Sequence, residues 1–457
     1  MQAPALADLN RPAARLALAV IRALRRRLRE PAFLIRHRRD PKAFTRQRTL
    51  SFPVVVLCLL QKSVKSLQLH LHEFLDQWHN DDSASTASPG TFTRARAKLR
   101  PSAYVELNTQ VLLPMVYHPE WVQALRHWQG HRVLGIDSSL IRLPATASLV
   151  NRFGLVECAN QNGPGALRYT QARISLLYDV LNQFGWDARL EPYAMAETEL
   201  ARDHLAHANP GDLILCDRGY AGLHWFIFLR SLGMEFVVRC GQGSFGAVQA
   251  LLKRDEAEVS WEVVLLAHSE LKRELRAAGL PTELRVRLVT VRLTTGELEV
   301  LATSLLDPQH YPTAQFAQVY HWRWGIETFY GRLKGRLELE NWSGKTKVAI
   351  QQDFQAAVFL SNLERVVGRA AGEELAQATA HREQPAQLNR AVGLHTIKNQ
   401  IIAMLAGRQP VKQVLARLLQ LFQANPVSVR THPKVPRRKI PPGQSCHYQR
   451  NVRKIVF

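Results

Sequence analysis

Two short apolar runs that each stop at an aspartate constrain this chain more than any other feature. Residues 132–137 read RVLGID and residues 212–217 read DLILCD. Both are too short for a helix, and neither alternates apolar with polar, which is the pattern of a strand buried on both faces. The second run follows a helical pattern at 197–208 and precedes another at 221–232, after which 235–240 reads as a further strand. Residues 172–180 and 186–193 read as a strand pair around the turn segment 182–185. Three strands, helix, strand, helix, strand is the signature of an α/β fold, a mixed sheet covered by helices on both faces.

The flanks differ from this centre. Residues 10–30 place Leu16, Ile21, Leu24 and Leu28 at helical spacing among arginines, and 50–79 and 90–127 also read as helical. No helix-turn-helix stands out there, so a DNA-binding module and a plain helical bundle are both open. After residue 240 the pattern is β-rich: Leu284, Val286 and Leu288 keep one phase and Val289, Val291 and Leu293 the other. That slip predicts a bulge, and Thr294-Thr-Gly296 predicts a hairpin turn. One long helix is predicted over 313–339, with others at 350–371, 393–406 and 410–423. The expected division is a helical basic region at 1–130 and a first part of the core at 131–240. A β-rich insertion at 241–308 follows, then a helix completing the core at 309–345, helices at 346–423, and an extended basic arm at 424–457.

Charge narrows the partner. The 457 residues carry 60 Lys plus Arg against 38 Asp plus Glu, but the excess lies at the ends. Residues 1–50 hold 13 basic and 3 acidic residues, 381–457 hold 14 and 1, and the centre is nearly neutral. A balanced body with cationic ends suits a polyanion such as nucleic acid, although a solubilising or membrane-facing surface would also carry such charge. The longest apolar run, 52–60, is half of what a bilayer span needs, and no signal peptide is visible, so a cytoplasmic protein without membrane contact is expected. Five cysteines without a C-x-x-C pair indicate neither a disulfide framework nor a zinc site.

Chemistry concentrates in Tyr320-His-Trp-Arg323-Trp-Gly-Ile-Glu327, continuing to Lys334. At about 100° per residue, Tyr320, Arg323, Glu327 and Lys334 share one narrow helix face. A carboxylate aligned with two cations and a phenol suits a metal ligand beside a phosphate backbone; an exposed i,i+4 Arg–Glu pair would look the same. Asp137 and Asp217 each end a buried strand, where α/β sheets bind ligands, and where Asp also serves simply as a turn former.

Together, Asp137 in G-I-D-S-S, Asp217 in D-R-G-Y and the spacing Y-x2-R-x3-E-x6-K resemble the signature of bacterial insertion-sequence DDE transposases of the "insertion sequence four" family, over about residues 130–345. The resemblance implies a ribonuclease-H-like core. It implies that Asp137, Asp217 and Glu327 bind two Mg2+ or Mn2+ ions and form the catalytic set, and that Tyr320, Arg323 and Lys334 hold the transposon-end backbone. It further implies cleavage of the element's ends, joining of the 3′ ends to target DNA, recognition of terminal inverted repeats, a synaptic homodimer, and a nucleoid-associated protein. A non-catalytic end-binding protein and a metal-dependent nuclease without strand transfer are the alternatives. Some relatives place a tryptophan in the strand after the insertion to stack on a flipped base. Glu299 begins the matching stretch here and cannot make that stack, which leaves a hairpin intermediate without its support.

Two other motifs compete. Gly241-x-Gly243-x-x-Gly246 matches a dinucleotide fingerprint, but no βαβ continuation is expected after it. The clusters His70/His72/Glu73 and Asp203/His204/His207 lack metal-motif spacing and read as polar helix-face residues.

Overall fold

The computed structural model describes residues 9–46, 48–63, 65–79, 86–159, 166–293, 296–384 and 386–428. Its centre is one mixed sheet of nine strands: β1 (Val133–Leu143), β2 (Leu155–Ala159), β3 (Ala166–Asp179), β4 (Phe184–Pro192), β5 (Leu213–Cys216), β6 (Glu235–Cys240), β7 (Ser260–Leu266), β8 (Glu283–Arg292) and β9 (Leu298–Thr303). β1, β3 and β4 form an antiparallel meander, and β5 and β6 add in parallel on the other side of β1. The connections into β5 and β6 carry the helices Glu197–His204 and Leu223–Ser231. This is the expected α/β, ribonuclease-H-like mixed sheet.

The sheet does not end at Cys240, as the sequence suggested. β9 pairs antiparallel with β6, and β8 and β7 extend the same sheet, so the segment after 240 widens the core rather than forming a separate β unit. It also contains two helices that sequence reading missed, Gly246–Arg254 and Ser269–Ala277. The predicted bulge at Leu288/Val289 is absent, because β8 keeps continuous register with both neighbours. Its two apolar phases reflect burial of both faces, from Val286 through Val291. The register shift that does occur lies between Leu177 and Tyr178 in the β3–β4 pair. β8 and β9 form the expected hairpin, whose Thr294 and Thr295 lie outside the described residues.

The two helical flanks, far apart in sequence, share one core. Leu16, Ile21, Leu24 and Leu28 on helix Pro12–Arg29 are all buried as the periodicity required, and they join Val414, Leu418 and Phe422 from helix Val411–Gln423. The apolar helix Phe52–Leu60 is buried in the same cluster. The helix Lys347–Ala378 is the spine between this core and the sheet. Its Ile350, Phe354 and Val358 pack on the sheet side, and Phe359, Leu363 and Val367 on the helical side. Beyond the last helix, Pro426–Ser428 pairs with Ala386–Leu388. The predicted extended arm therefore begins with a strand, and residues 429–457 lie outside the described residues.

Buried polar groups tie these layers together. Asn362 on the spine donates to the carbonyl of Gly185 at 2.8 Å and accepts from its N–H at 2.9 Å, while also donating to Asn108 of the N-terminal region at 2.7 Å. Arg96, 3% exposed, donates to Asp353 and Gln352 of the spine at 3.0 Å each, and to Ser343 at 2.7 Å. Ser343 lies in the loop that leaves the glutamate-bearing segment, so the N-terminal helices are clamped to the core at that point.

Gly135 leaves room for Val180 beneath the glutamate helix. A Cβ there would lie 3.1 Å from Val180 Cγ1 and 3.9 Å from the Cβ of Ile326, on the helix Trp324–Gly331 that carries Glu327. Gly135→Val therefore overpacks this interface, and we expect a loss of about 1–3 kcal/mol in urea unfolding. Unchanged stability would mean that Val180 gives way without cost.

Candidate active site

Strand register brings the two aspartates together. β1 and β5 run parallel with Val133 opposite Leu213, Leu134 opposite Ile214 and Gly135 opposite Leu215, and continuing that offset sets Asp137 beside Asp217. Side chains alternate along each strand, so Asp137 shares a face with Val133, and Asp217 with Leu213 and Leu215. Those three apolar residues pack in the cluster that contains Tyr320, Ile326 and Phe329. Both carboxylates thus emerge from the sheet on the side covered by the glutamate helix, just past the end of the β1–β5 pairing, while β1 remains paired with β3.

That helix is not continuous, contrary to the single helix predicted over 313–339. It comprises Phe316–His321, Trp324–Gly331 and a widened turn at Arg332–Arg336. Between the first two pieces the bonds tighten to i→i−3: the N–H of Arg323 reaches the carbonyl of Tyr320 at 3.0 Å, and that of Ile326 reaches Arg323 at 3.1 Å. In the widened turn the N–H of Leu337 reaches the carbonyl of Arg332 at 3.0 Å, an i→i−5 bond of the type that often marks functional sites.

Tyr320, Arg323 and Glu327 nevertheless meet the aspartates. The Arg323 guanidinium, 3% exposed, donates to Glu327 Oε1 at 2.8 Å and to Asp137 Oδ2 at 3.5 Å. The Tyr320 hydroxyl donates to Asp217 Oδ1 at 3.4 Å. Lys334 stands apart from the carboxylates and donates to Ser139 Oγ and to the carbonyl of Leu140 on β1, each at 2.7 Å. Arg323 lies on the floor of this arrangement, bridging two carboxylates.

Two participants have no sequence signal. Arg239 on β6 donates to Asp217 Oδ1 through Nε at 2.9 Å and pairs with it through Nη2 at 2.7 Å, while its Nη1 donates to Glu299 Oε1 at 2.6 Å. Glu299, where a stacking tryptophan was considered, is buried in this ion pair. Tyr330 donates to the carbonyl of Asp137 at 2.7 Å and pins β1 in mid-strand, since β1 does not end at Asp137, as the sequence suggested, but continues to Leu143 beside β3. A lone arginine in a strand becomes a candidate only once β6 is known to lie between β5 and β9.

The two aspartates experience different fields. Burial pushes Asp137 up to about 6, against the pull of Arg323 and the N–H of Ser138. Burial also raises Asp217, but the N–H of Arg218 and the charges of Arg239 and Arg323 more than offset it, leaving Asp217 below the usual carboxylate range. Burial of Lys334 lowers its proton affinity, partly offset by Glu340.

Donor chemistry fits a hard divalent cation, since all three acids offer carboxylate oxygens. Among the described residues no three His, Cys, Asp or Glu side chains already converge as a cage. Guanidinium groups stand where compensating charge is needed, with Arg323 between Asp137 and Glu327 and Arg239 on Asp217. The competing motifs take structural roles. His204 is fully buried between Asp187 and Ser175, each 2.9 Å away, rather than lying on a polar helix face. His70 packs against Cys58. Gly246 opens a helix that leads into antiparallel β7, so no βαβ unit follows the glycines.

The raised Asp137 has a stability consequence. A carboxyl group with a raised folded value destabilises the fold when ionised, so the penalty is absent below about pH 4 and complete above about pH 6. Asp137→Asn, which cannot ionise, is expected to be about 2–3 kcal/mol more stable than wild type in urea at pH 8 with chelator, the gap closing toward pH 4. A gap of equal size at both pH values would remove burial as its cause.

Residues 128–363, more than half of the chain, match the transposase DDE domain family. The chain is 22% identical over 341 residues to the transposase InsG for insertion sequence element IS4 of Escherichia coli (strain K12), covering 70% of each protein. A likeness in structure to a piggyBac transposase, solved by cryo-EM as a synaptic complex with hairpin DNA, has a TM-score of 0.42 at 10% identity, over 95% of this chain and 88% of that one. With the sequence resemblance upheld by the family match, this chain belongs to the DDE transposases.

Proposed function

We propose that this transposase cleaves the ends of its own insertion sequence and joins the freed 3′ ends to target DNA, with Asp137, Asp217 and Glu327 as the catalytic acids. The observation that carries this reading is the register of β1 and β5, which delivers two carboxylates to the face covered by the helix bearing the third. The three acids would hold Mg2+ or Mn2+, and two such ions, when bound, supply an activated water or 3′-hydroxyl and stabilisation of the leaving oxygen.

The chain's own residues supply the rest. Arg239 keeps Asp217 ionised and oriented, and Tyr330 fixes the backbone of Asp137. Tyr320, Arg323 and Lys334 line the approach along β1. Arg323 is positioned to exchange its carboxylate partners for a phosphate, since guanidinium binds both in the same forked geometry. Its Nε is buried without a hydrogen-bond partner, a donor left over for such a ligand.

DNA binding by the N-terminal region is supported by a cleft of about 1050 Å3 lined by Lys42, Arg46, Arg48, Arg94 and Lys98, with Thr45, Ser88 and Thr91. Cations interleaved with hydroxyls suit a phosphate backbone. The terminal inverted repeats are the proposed ligand, bound by a synaptic homodimer. No helix among the described residues is long and apolar enough to cross a membrane. The domain division drawn from the sequence is retained as a proposal, with 241–308 now contributing to the core sheet.

On a labelled duplex spanning the element boundary, wild type is expected to nick only with Mg2+ or Mn2+. Glu327→Ala is expected to bind equally and lose nicking by at least a hundredfold. Binding without nicking by either protein under any metal would leave a non-catalytic DNA-binding protein. In the cleft, Arg94→Ala with Lys98→Ala is expected to weaken binding evenly across sequences and to reduce the log–log salt slope by about 2, one for each phosphate that is no longer neutralised. An unchanged slope would place the duplex elsewhere.

A further inference from the structure

Away from the carboxylates, a cavity of about 800 Å3 opens where the N-terminal and C-terminal helices meet. Gln61, Lys65 and His70 line one wall, and Lys398, Arg408 and Arg417 the other. A smaller cavity adjoins it, sharing Ser63, Lys65 and His70, and is lined by Lys62 and Ser343. The charges around these cavities do not balance. Lys62, with its side chain 14% exposed, lies 3.5 Å from Asp353, but Asp353 already accepts from Arg96 at 3.0 Å and from the N–H of Ser343 at 2.7 Å. Lys65 pairs with Glu73 at 2.5 Å. Arg408 stacks over Trp78 at 5.0 Å.

Lys398 is the odd cation. It projects from the last turn of helix Arg390–Asn399, is half-buried, and makes no hydrogen bond or ion pair among the described residues. Burial and the neighbouring Lys62 pull it down to about 8, with Glu338 as its nearest compensating charge. Lys62 takes most of its compensation from Asp353, which it shares with Arg96, and only a smaller part from Glu338. His70 adds no counter-charge, since burial holds it toward the neutral form, and His395 bonds to Asn399. A half-buried cation surrounded mainly by other cations is unfavourable, and an anion from outside relieves it.

We propose that this cavity is a phosphate-binding site in which Lys398 contacts the anion and Arg408 and Arg417 guard its mouth, with Lys62 adding positive charge from the adjoining smaller cavity. Phosphate matches the set, because its oxygens accept from ammonium and guanidinium groups alike and its charge meets the unpaired excess. The space admits a backbone phosphate of DNA as well as a free phosphate, and occupancy would brace helix Leu67–His79 against helix Arg390–Asn399. The site does not depend on the assignment of the catalytic acids.

The test uses the full chain and inorganic phosphate at constant ionic strength against chloride, reading the melting temperature and the phosphorus NMR linewidth. Wild type is expected to be stabilised saturably. Lys398→Met is expected to melt at or above wild type without phosphate, because it removes a partnerless charge, and to bind phosphate at least tenfold more weakly. Lys398→Arg is expected to retain binding. Equal phosphate stabilisation of wild type and Lys398→Met would overturn the site, as would a wild type that does not respond or a Lys398→Met that melts lower in phosphate-free buffer. A duplex of arbitrary sequence then identifies the source. Weaker duplex binding by Lys398→Met, with the salt slope reduced by about 1, assigns a DNA backbone phosphate. Unchanged duplex binding with abolished phosphate binding assigns the free anion. Nicking plays no part in any arm, so the site and the catalytic reading can fail separately.

Discussion

Asp137, Asp217 and Glu327 lie on one side of a buried sheet, linked through Arg323 and Tyr320, and the architecture around them is organised to hold acidic groups there. Arg323 bridges Asp137 and Glu327, while Arg239 holds Asp217 and is itself shared with Glu299. Each guanidinium sits in a setting where leaving one charge unpaired would be costly, so acids and arginines stabilise each other's burial. The result is a site whose carboxylates are paired with the protein's own cations.

Holding that balance requires rigid supports. The parallel register of β1 and β5 sets the aspartates on neighbouring strands, and Gly135 leaves room for Val180 beneath the glutamate helix. The spine helix Lys347–Ala378 then fastens the sheet to a helical core built jointly from both ends of the chain. Arg96 links that core to Asp353 and to the loop at Ser343. The basic cleft beside helix Pro89–Arg96 is thereby tied to the same framework as the carboxylates.

Much of this was legible in the sequence, and the failures have physical causes. The strands bearing Asp137 and Asp217 announced themselves because a strand buried on both faces must be apolar throughout. The same rule explains the error in β8, where two buried faces imitated a phase slip. Tyr320, Arg323 and Glu327 fell on one helical face, and they do converge, although the helix tightens at Trp322 and widens at Arg332, which local periodicity does not reveal. Arg239 gave no signal, and the ion pair of Glu299 was not foreseen, because their meeting depends on β9 joining β6 across some sixty residues of chain. The joint core of the two flanks is likewise a long-range pairing without local pattern.

The central claim is that Asp137, Asp217 and Glu327 bind the catalytic metal together. The most direct measurement replaces Mg2+ with Fe2+ and, with ascorbate and peroxide, maps where hydroxyl radicals generated at the bound ion cut the polypeptide. Backbone cuts clustered near residues 137, 217 and 327, competed away by Mg2+ and abolished in Glu327→Ala, are the predicted result. Cuts confined to other segments, or a pattern that Glu327→Ala leaves unchanged, would contradict it.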